Sequence, residues 1–403
     1  MTRGVLKCLV PLLPQRPQVG AGTDFLTRNK KAVIENKMFD QSKIHPLLKQ
    51  PVVSRDGIRG IERPRHLLES IPEDAEPLRS LAGMHIVSAR QFDRNKILQL
   101  GRLAASYETQ PDLIHPPLRG KILVSAFYEP STRTRLSFES AWHRLGGDIM
   151  SITDPNTTGI AKGESLADVG EMFNNYGDVV VLRDSSEDSV YAMLDSLRIP
   201  IINAGNGIDE HPTQALADIY AMLKWRPDFG SGNLSEEEKI TIGVIGTPNR
   251  MRTVRSLLLL LSLFSDSIKK VYIVNPASDV LDKEQDEELR AAGLKLEVVH
   301  KLRDILPEID VVYINSIAWV GDSYETLTGD IKLTSESQLK QGAIILHPLA
   351  RGEELDESLD GTSHNWYFSQ ARGAVFIRMA LLTCLVHRIN LVVDSPVEQP
   401  DSN

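Results

Sequence analysis

The most chemically loaded stretch of this sequence runs from Phe127 to Phe138, Phe-Tyr-Glu-Pro-Ser-Thr-Arg-Thr-Arg-Leu-Ser-Phe. It closes a β-rich apolar run, Lys121 to Glu129. It also opens a segment in which Leu136, Trp142 and Leu145 recur at helical spacing until Gly146-Gly147 stops the pattern. Ser131 is therefore the expected N-cap of a helix. The unpaired N–H groups and positive dipole end of that helix would lie beside the hydroxyls of Thr132 and Thr134 and the guanidiniums of Arg133 and Arg135. Such a set binds a phosphate-like anion. Either arginine alone would be read as solvated, and it is the whole run that carries the signal.

Further polar residues stand where a parallel sheet would bring them to the same edge. Asp178-Val-Val-Val-Leu-Arg183 reads as a buried strand ending in an arginine, and Ile199 to Asn203 as another, ending before Ala204-Gly-Asn-Gly207. Ligands of open α/β sheets sit beyond the carboxyl ends of the strands, where Ser131, Arg183 and the Asn203 loop all fall. His211 precedes Pro212 and stands three residues before Gln214 on the opening turn of a helix, so both side chains share one face. Alone, the histidine could cap or pack the helix; with Gln214 it is better explained by a ligand.

Composition bounds the partners. With 45 basic against 54 acidic residues, and a pI near 5.7, the chain does not have the charge of a nucleic-acid or membrane-surface protein. Local positive charge must then mean a site. Cys8 and Cys384, at opposite ends, allow neither a disulfide framework nor a cysteine-based zinc site, so an intracellular, cytoplasmic protein without a metal or cofactor is expected. The longest apolar run, Leu257 to Phe264, is too short to span a bilayer and contains a serine.

The elements that must position these residues begin at Gly83, with a short strand at His85–Ser88 and a helix over Asp93–Tyr107. Residues 1–82 read as a proline- and charge-rich extension. Its first thirty-one positions carry Arg3, Lys7, Arg16, Arg28, Lys30 and Lys31 against Asp24. A targeting role is open, although Pro11, Pro14 and Pro17 favour a mobile or surface-wrapping segment. After strands at Lys121–Glu129, Asp148–Thr153, Asp178–Arg183 and Ile199–Asn203, the stretch Trp225–Lys239 has the composition of an exposed linker. Beyond it, strands at Ile240–Gly246, Lys270–Asn275, Leu294–His300, Asp310–Asn315 and Ala343–His347 alternate with helical stretches at Met251–Phe264, Ser278–Ala292, Leu302–Ile309 and Glu336–Lys340. That alternation predicts an α/β chain of two doubly wound parallel-sheet domains. A last apolar helix follows, Val375 to Leu391. Gly243-Val-Ile-Gly246 lacks the spacing of a dinucleotide fingerprint, and that function is rejected.

Ser131-Thr-Arg-Thr-Arg135 after Phe-Tyr-Glu-Pro, Val181-Leu-Arg183, His211-Pro-Thr-Gln214-Ala-Leu-Ala-Asp218 and Leu346-His-Pro-Leu-Ala-Arg351 together resemble the aspartate/ornithine carbamoyltransferase family, and the Glu-Pro prefix resembles its aspartate branch. The resemblance covers about Gly83 to Val393. It implies a carbamoyl-phosphate-binding domain at 83–225, an acceptor-binding domain at 239–370, and a C-terminal helix, 371–395, returning to the first domain. It further implies that Ser131, Thr132, Arg133 and Thr134 hold the phosphate, and that Thr134, Arg183 and His211 meet the carbonyl oxygen. Gln214 and the main-chain carbonyls of Pro348 and Leu349 would accept from the carbamoyl nitrogen. Arg252 would take the acceptor's α-carboxylate, with Glu129 as its acidic support. Asn156-Thr-Thr-Gly-Ile-Ala-Lys-Gly-Glu164 is similar to the family loop through which a neighbouring subunit supplies Thr158 and Lys162, which implies a homotrimer with shared sites.

The acceptor side departs from the family pattern. Ser316 and Ala318 stand where the aspartate branch has an arginine and a glutamine, and Gly321 lies near the place of a second arginine. Trp319 could floor a pocket for a larger or less charged acceptor, or pack beneath a loop. The expected activity is carbamoyl transfer from carbamoyl phosphate to the amino group of L-aspartate or a related amino acid, a step of pyrimidine biosynthesis in the family. The alternatives are a different amine acceptor, or a catalytically silent subunit that binds carbamoyl phosphate and regulates a partner.

Overall fold

Continuous runs of valine, isoleucine and leucine form strands covered on both faces, and parallel sheets are the usual outcome. The computed structural model contains two of them. The first has β1 (Ile122–Phe127), β2 (Asp148–Ile152), β3 (Val179–Asp184) and β4 (Ile201–Asn206) in the order β2-β1-β3-β4. In the second, β5 (Ile240–Ile245), β6 (Ile268–Val274), β7 (Leu296–Val299), β8 (Val311–Ile314) and β9 (Ile344–Leu346) are ordered β7-β6-β5-β8-β9. Every pairing is parallel. Strand order reverses between β1 and β3 and again between β5 and β8, and crevices open at such points. The register β1 to β3 sets Phe127 against Arg183, which brings Arg183 to the edge where the anion loop begins.

The helices are α1 (Arg63–Ser70), α2 (Glu76–Arg79), α3 (Arg94–Thr109), α4 (Thr132–Arg144), α5 (Leu166–Tyr176), α6 (Ser189–Leu194), α7 (Pro212–Trp225), α8 (Arg252–Ser262), α9 (Lys283–Ala291) and α10 (Tyr367–Leu385). Pro212 fits the first turn of α7, where its missing N–H costs nothing. From Pro212 to Lys224 every residue of α7 is buried, because α10, α8 and α1 surround it. α10 packs on α3, α4 and α7, and so returns to the first domain. The structure describes residues 63–110, 114, 116–315 and 331–386, together with His45. Ser316, Ala318, Trp319, Gly321, the extension up to residue 62 and the chain after residue 386 lie outside the described residues.

Several sequence expectations change. Residues 63–82, read as part of an unassigned extension, carry α1 and α2, and Leu67, Leu78 and Leu81 are buried in the same core as α3. The periodic segments there are too short to register above the surrounding prolines and charges. The strand at His85–Ser88 is a single parallel bridge, Ile86 to Ile202, before a 3-10 turn capped by Ser88. Leu302–Ile309 is two 3-10 turns, since Pro307 cannot continue a helix. Around Glu336, the Thr334 and Ser337 hydroxyls take backbone N–H groups at 3.2 and 3.0 Å, and a turn replaces the expected helix. The linker is not wholly exposed, because Phe229 is buried and stacks on Phe264 at 4.9 Å. α10 starts at Tyr367 rather than near Val375. No helix of the described residues is long and apolar enough to cross a membrane.

Candidate active site

Helix N-termini divide into two kinds here. α3 and α5 are capped conventionally, by Asp93 accepting from Lys96 N and Ser165 from Asp168 N. α4, α7 and α8 have no side-chain cap bond and no acidic residue in the first turn. α4 instead opens Thr132-Arg133-Thr134-Arg135, and α8 opens on Arg252. A cation there opposes the helix dipole by about 0.3–1 kcal/mol. Arg135 is relieved by Glu139 one turn later, at 3.0 Å. Among the described residues Arg133 has no such partner, and partial burial lowers its pKa. An incoming anion would satisfy both the helix end and the arginine.

At the carboxyl end of β1, Glu129 lies between two guanidiniums. Arg183 Nη2 is 2.5 Å from Oε1, while Arg252 Nη2 and Nη1 reach Oε1 and Oε2 at 2.9 and 3.0 Å. Burial pulls the Glu129 pKa up, but the two arginines outweigh it, and the carboxyl sits below its ordinary range. Burial lowers Arg183 to about 10, with further lowering from Arg252 and Arg133 that Glu129 only partly offsets. Both guanidiniums flank Gly205, whose φ is +111°. A Cβ there would lie 2.9 Å from Arg252 Nε and 3.3 Å from Arg183 Nη1, so glycine is required twice over.

His211 is 2 % exposed and sits just before α7. Its backbone N–H donates to Ser256 Oγ on α8 at 2.9 Å, and that hydroxyl donates to Glu210 Oε2 at 3.2 Å. Glu210 also accepts from Ser88 Oγ, Ala89 N and Arg90 Nη1 at 2.6, 2.7 and 3.1 Å. The histidine is thereby fixed from both domains. Its Nδ1 is buried without a hydrogen-bond partner. Burial, then Arg183, Arg252 and Arg378, hold its pKa well below the ordinary 6.5. A neutral imidazole can still donate a hydrogen bond, but it is not a ready proton source.

Gln214 joins a buried amide and carboxylate group. Its Nε2 donates to Asp218 Oδ1 at 2.8 Å, the same oxygen that Gln370 Nε2 reaches at 2.5 Å. Gln370 Oε1 accepts from His347 N at 2.8 Å, immediately before Pro348 and Leu349. Leu349 has φ +54°, its N–H donates to His347 Nδ1 at 2.7 Å, and the peptide to Ala350 is cis. His347 Nε2 lies 3.0 Å from Glu354 Oε1. Arg378 of α10 is buried over the Phe138 ring at 4.7 Å, bonded to Ser137 Oγ through Nη1, with Nε and Nη2 unpartnered. Burial pushes it down to about 9, opposed by Asp218.

The structure thus brings Arg183 and Arg252 together on Glu129 beside Gly205, with His211 close enough to feel both arginines and Arg133 close enough to act electrostatically on Arg183 and His347. Ser131, Thr132 and the buried Thr134 form the adjoining helix end. Thr158 and Lys162 stand apart. Thr158 Oγ1 donates to Pro155 O at 2.7 Å and Lys162 is exposed, and among the described contacts neither bonds to the site residues of its own chain. Asp218, Glu210, Gln370 and Arg378 were not singled out from the sequence. Asp218 had a signal, a carboxylate one turn after Gln214 in an apolar helix, and so did Arg378, the single arginine within Val375–Leu391 other than Arg388 near its end.

The family model for the aspartate/ornithine carbamoyltransferase carbamoyl-phosphate-binding domain matches residues 84–224, and that for the aspartate/ornithine-binding domain matches 238–385. The chain belongs to the aspartate/ornithine carbamoyltransferase family. It is 35 % identical to an aspartate carbamoyltransferase catalytic subunit of Methanopyrus kandleri over 76 % of this chain and 98 % of the relative. With one from Methanocaldococcus jannaschii it shares 36 % over 75 % of this chain and 97 % of that one. Among solved structures it is similar to the Trypanosoma cruzi aspartate transcarbamoylase in complex with carbamoyl phosphate and aspartate, with a TM-score of 0.69 and 34 % identity over 77 % of this chain and 99 % of that one. The carbamoyltransferase domains coincide with the two sheets described above.

Proposed function

We propose that this carbamoyltransferase moves the carbamoyl group of carbamoyl phosphate to the amino group of aspartate or a closely related amino acid. The observation that carries the reading is the grouping of Arg183, Arg252 and a neutral His211 about the carboxylate of Glu129, with Arg133 close enough to act on Arg183. That excess of positive charge suits a dianionic phosphate and an acceptor carboxylate. The amine attacks the carbonyl carbon, a C–N bond forms, and the C–O bond to phosphate breaks with its electron pair leaving on phosphate. The departing phosphate takes the amine's proton, so no protein base is needed.

In this reading Ser131, Thr132, Arg133 and Thr134 grip the phosphate at the start of α4. Thr134, Arg183 and His211 donate to the developing oxyanion, which favours the transition state over the planar carbonyl. A buried, neutral imidazole is suited to that task, since it donates without bringing a further charge. Gln214 Oε1 and the Pro348 and Leu349 carbonyls accept from the carbamoyl NH2. Arg252, oriented by Glu129, takes the α-carboxylate. A neighbouring copy supplies Thr158 and Lys162, as the exposure of Lys162 and the lack, among the described contacts, of bonds from either to the site residues of its own chain support.

The test is ureido-product formation by the full chain with carbamoyl phosphate and aspartate, asparagine, ornithine or 2,3-diaminopropionate. Saturable turnover with aspartate is expected. Turnover with another of these amines alone would move the acceptor assignment, and carbamoyl-phosphate binding without any turnover would favour a silent subunit. Mixing inactive His211→Ala and Lys162→Ala chains should restore part of the activity if copies share sites; no recovery after mixed refolding would sink that part of the proposal.

A further inference from the structure

The hydrogen-bond chain behind Gln214 has a direction that can be worked out from one end. The backbone N–H of His347 can only donate, so the Gln370 amide must present Oε1 to it, at 2.8 Å. Gln370 then necessarily turns its NH2 toward Asp218, reaching Oδ1 at 2.5 Å. Asp218 Oδ1 is therefore an acceptor. Gln214 meets this same oxygen at 2.8 Å, so it too must offer its NH2. Its Oε1 is left pointing away from Asp218. The result holds whichever protonation state Asp218 takes, because a proton on the carboxyl would occupy Oδ2, the oxygen that neither glutamine reaches.

We infer that Asp218 is a positioning residue that sets the chemical specificity for the carbamoyl NH2. Through Oδ1 it locks the flip state of Gln214 so that an acceptor oxygen faces the ligand, and through Gln370 it ties the His347–Leu349 turn to the same point. An unanchored glutamine could rotate its amide and present NH2 or oxygen to a ligand with similar ease. It would then no longer distinguish a carbamoyl NH2 from a methyl group of nearly the same size. Asp218 lies on α7 and Gln370 on α10, both buried, so the anchor is shielded from water that could compete for the amides. The inference rests on the proposed role of Gln214 as an acceptor from the carbamoyl nitrogen.

Affinities of the full chain for carbamoyl phosphate, acetyl phosphate and inorganic phosphate, measured at low temperature without an amine, provide the test. Asp218→Leu removes the acceptor while leaving no room for a substitute water, and should weaken carbamoyl phosphate at least tenfold while acetyl phosphate and phosphate stay within about twofold. Asp218→Asn keeps an oxygen in place and should retain most of the discrimination. If Asp218→Leu does not fold, Asp218→Val, close to aspartate in volume and without an acceptor, gives the same comparison. Unchanged carbamoyl-phosphate affinity, a parallel loss for all three ligands, or an Asn variant as impaired as the Leu variant would overturn the inference. Gln214→Ala separates the two levels of the argument. Should it leave discrimination intact, the role given to Gln214 fails; should it abolish discrimination while Asp218→Leu does not, only the anchoring role fails.

Discussion

Two charge clusters, one buried and one half-buried, share the helices α7 and α10, and they are built differently. In one, Glu108 of α3 lies between Lys224 at 3.1 Å and Arg372 at 3.1 Å, accepts from Tyr220 at 2.8 Å, and leaves Lys224 to reach Ser369 O and Oγ at 3.4 Å. Each of those side chains finds a partner. In the other, Glu129 also lies between two cations, Arg183 and Arg252, yet Arg183 Nε, His211 Nδ1 and two nitrogens of Arg378 remain buried without one. The ratio of cations to carboxylate therefore does not mark a site, whereas exposure does separate the two: Glu108 and Lys224 are closed off and Glu129, Arg183 and Arg252 are only half-buried. What accompanies that exposure is donor capacity left over among the described residues, clustered about one carboxylate, which a packed helix interface has no reason to keep.

Four experiments would break or sharpen that contrast. Arg183→Ala or His211→Ala should lower kcat by about 10²–10³-fold with little change in Tm, since in the proposed mechanism each removes a donor to the oxyanion. A steady-state assay with a thermal melt checks this, and an unchanged kcat would end the oxyanion assignment. Glu108→Leu should do the opposite, costing about 3–5 kcal/mol of stability by stranding Lys224 while the folded enzyme keeps its KM values. Urea unfolding reads the first quantity, and a selective loss of catalysis would erase the distinction between the clusters.

Arg252→Met should raise the acceptor KM about 10–100-fold, as expected for losing a charged hydrogen bond, and leave the carbamoyl-phosphate affinity nearly unaltered. A rise confined to the carbamoyl-phosphate KM would reassign the residue. The smallest effect concerns pH. His211 is held neutral in the fold, so below its ordinary 6.5 the unfolded chain binds a proton that the folded chain does not. Its contribution to stability is present above about pH 6.5 and falls as pH drops, by at most about 1.4 kcal/mol per pH unit. His211→Gln should flatten this acid limb relative to the parent protein; identical limbs would mean that the imidazole is not held neutral.

The same contrast explains how far the sequence could be read. The anion loop was legible because its residues are neighbours in the chain, and a strand followed by a helix brings a helix end to Ser131-Thr-Arg-Thr with no help from elsewhere. Arg183 and His211 were legible as residues at strand and helix ends. The residues behind His211 and Gln214 were not, because Glu210 meets Ser88 and Ser256, and Asp218 meets Gln370, across large separations in the chain. Residues 63–82 were misread for a related reason: α1 and α2 carry few apolar residues of their own, and only packing on α3 makes them part of the core.

By itself, then, the sequence determined the parallel α/β architecture, the hydroxyl- and arginine-rich helix end after β1 and the order of the candidate site residues along the chain, since period and local spacing carry that information. Tertiary structure alone decided which amide faces which oxygen, which arginines share Glu129, and that His211 is kept neutral. Those properties depend on burial and on the sum of charges within a few ångströms, and neither is a property of neighbours in the chain.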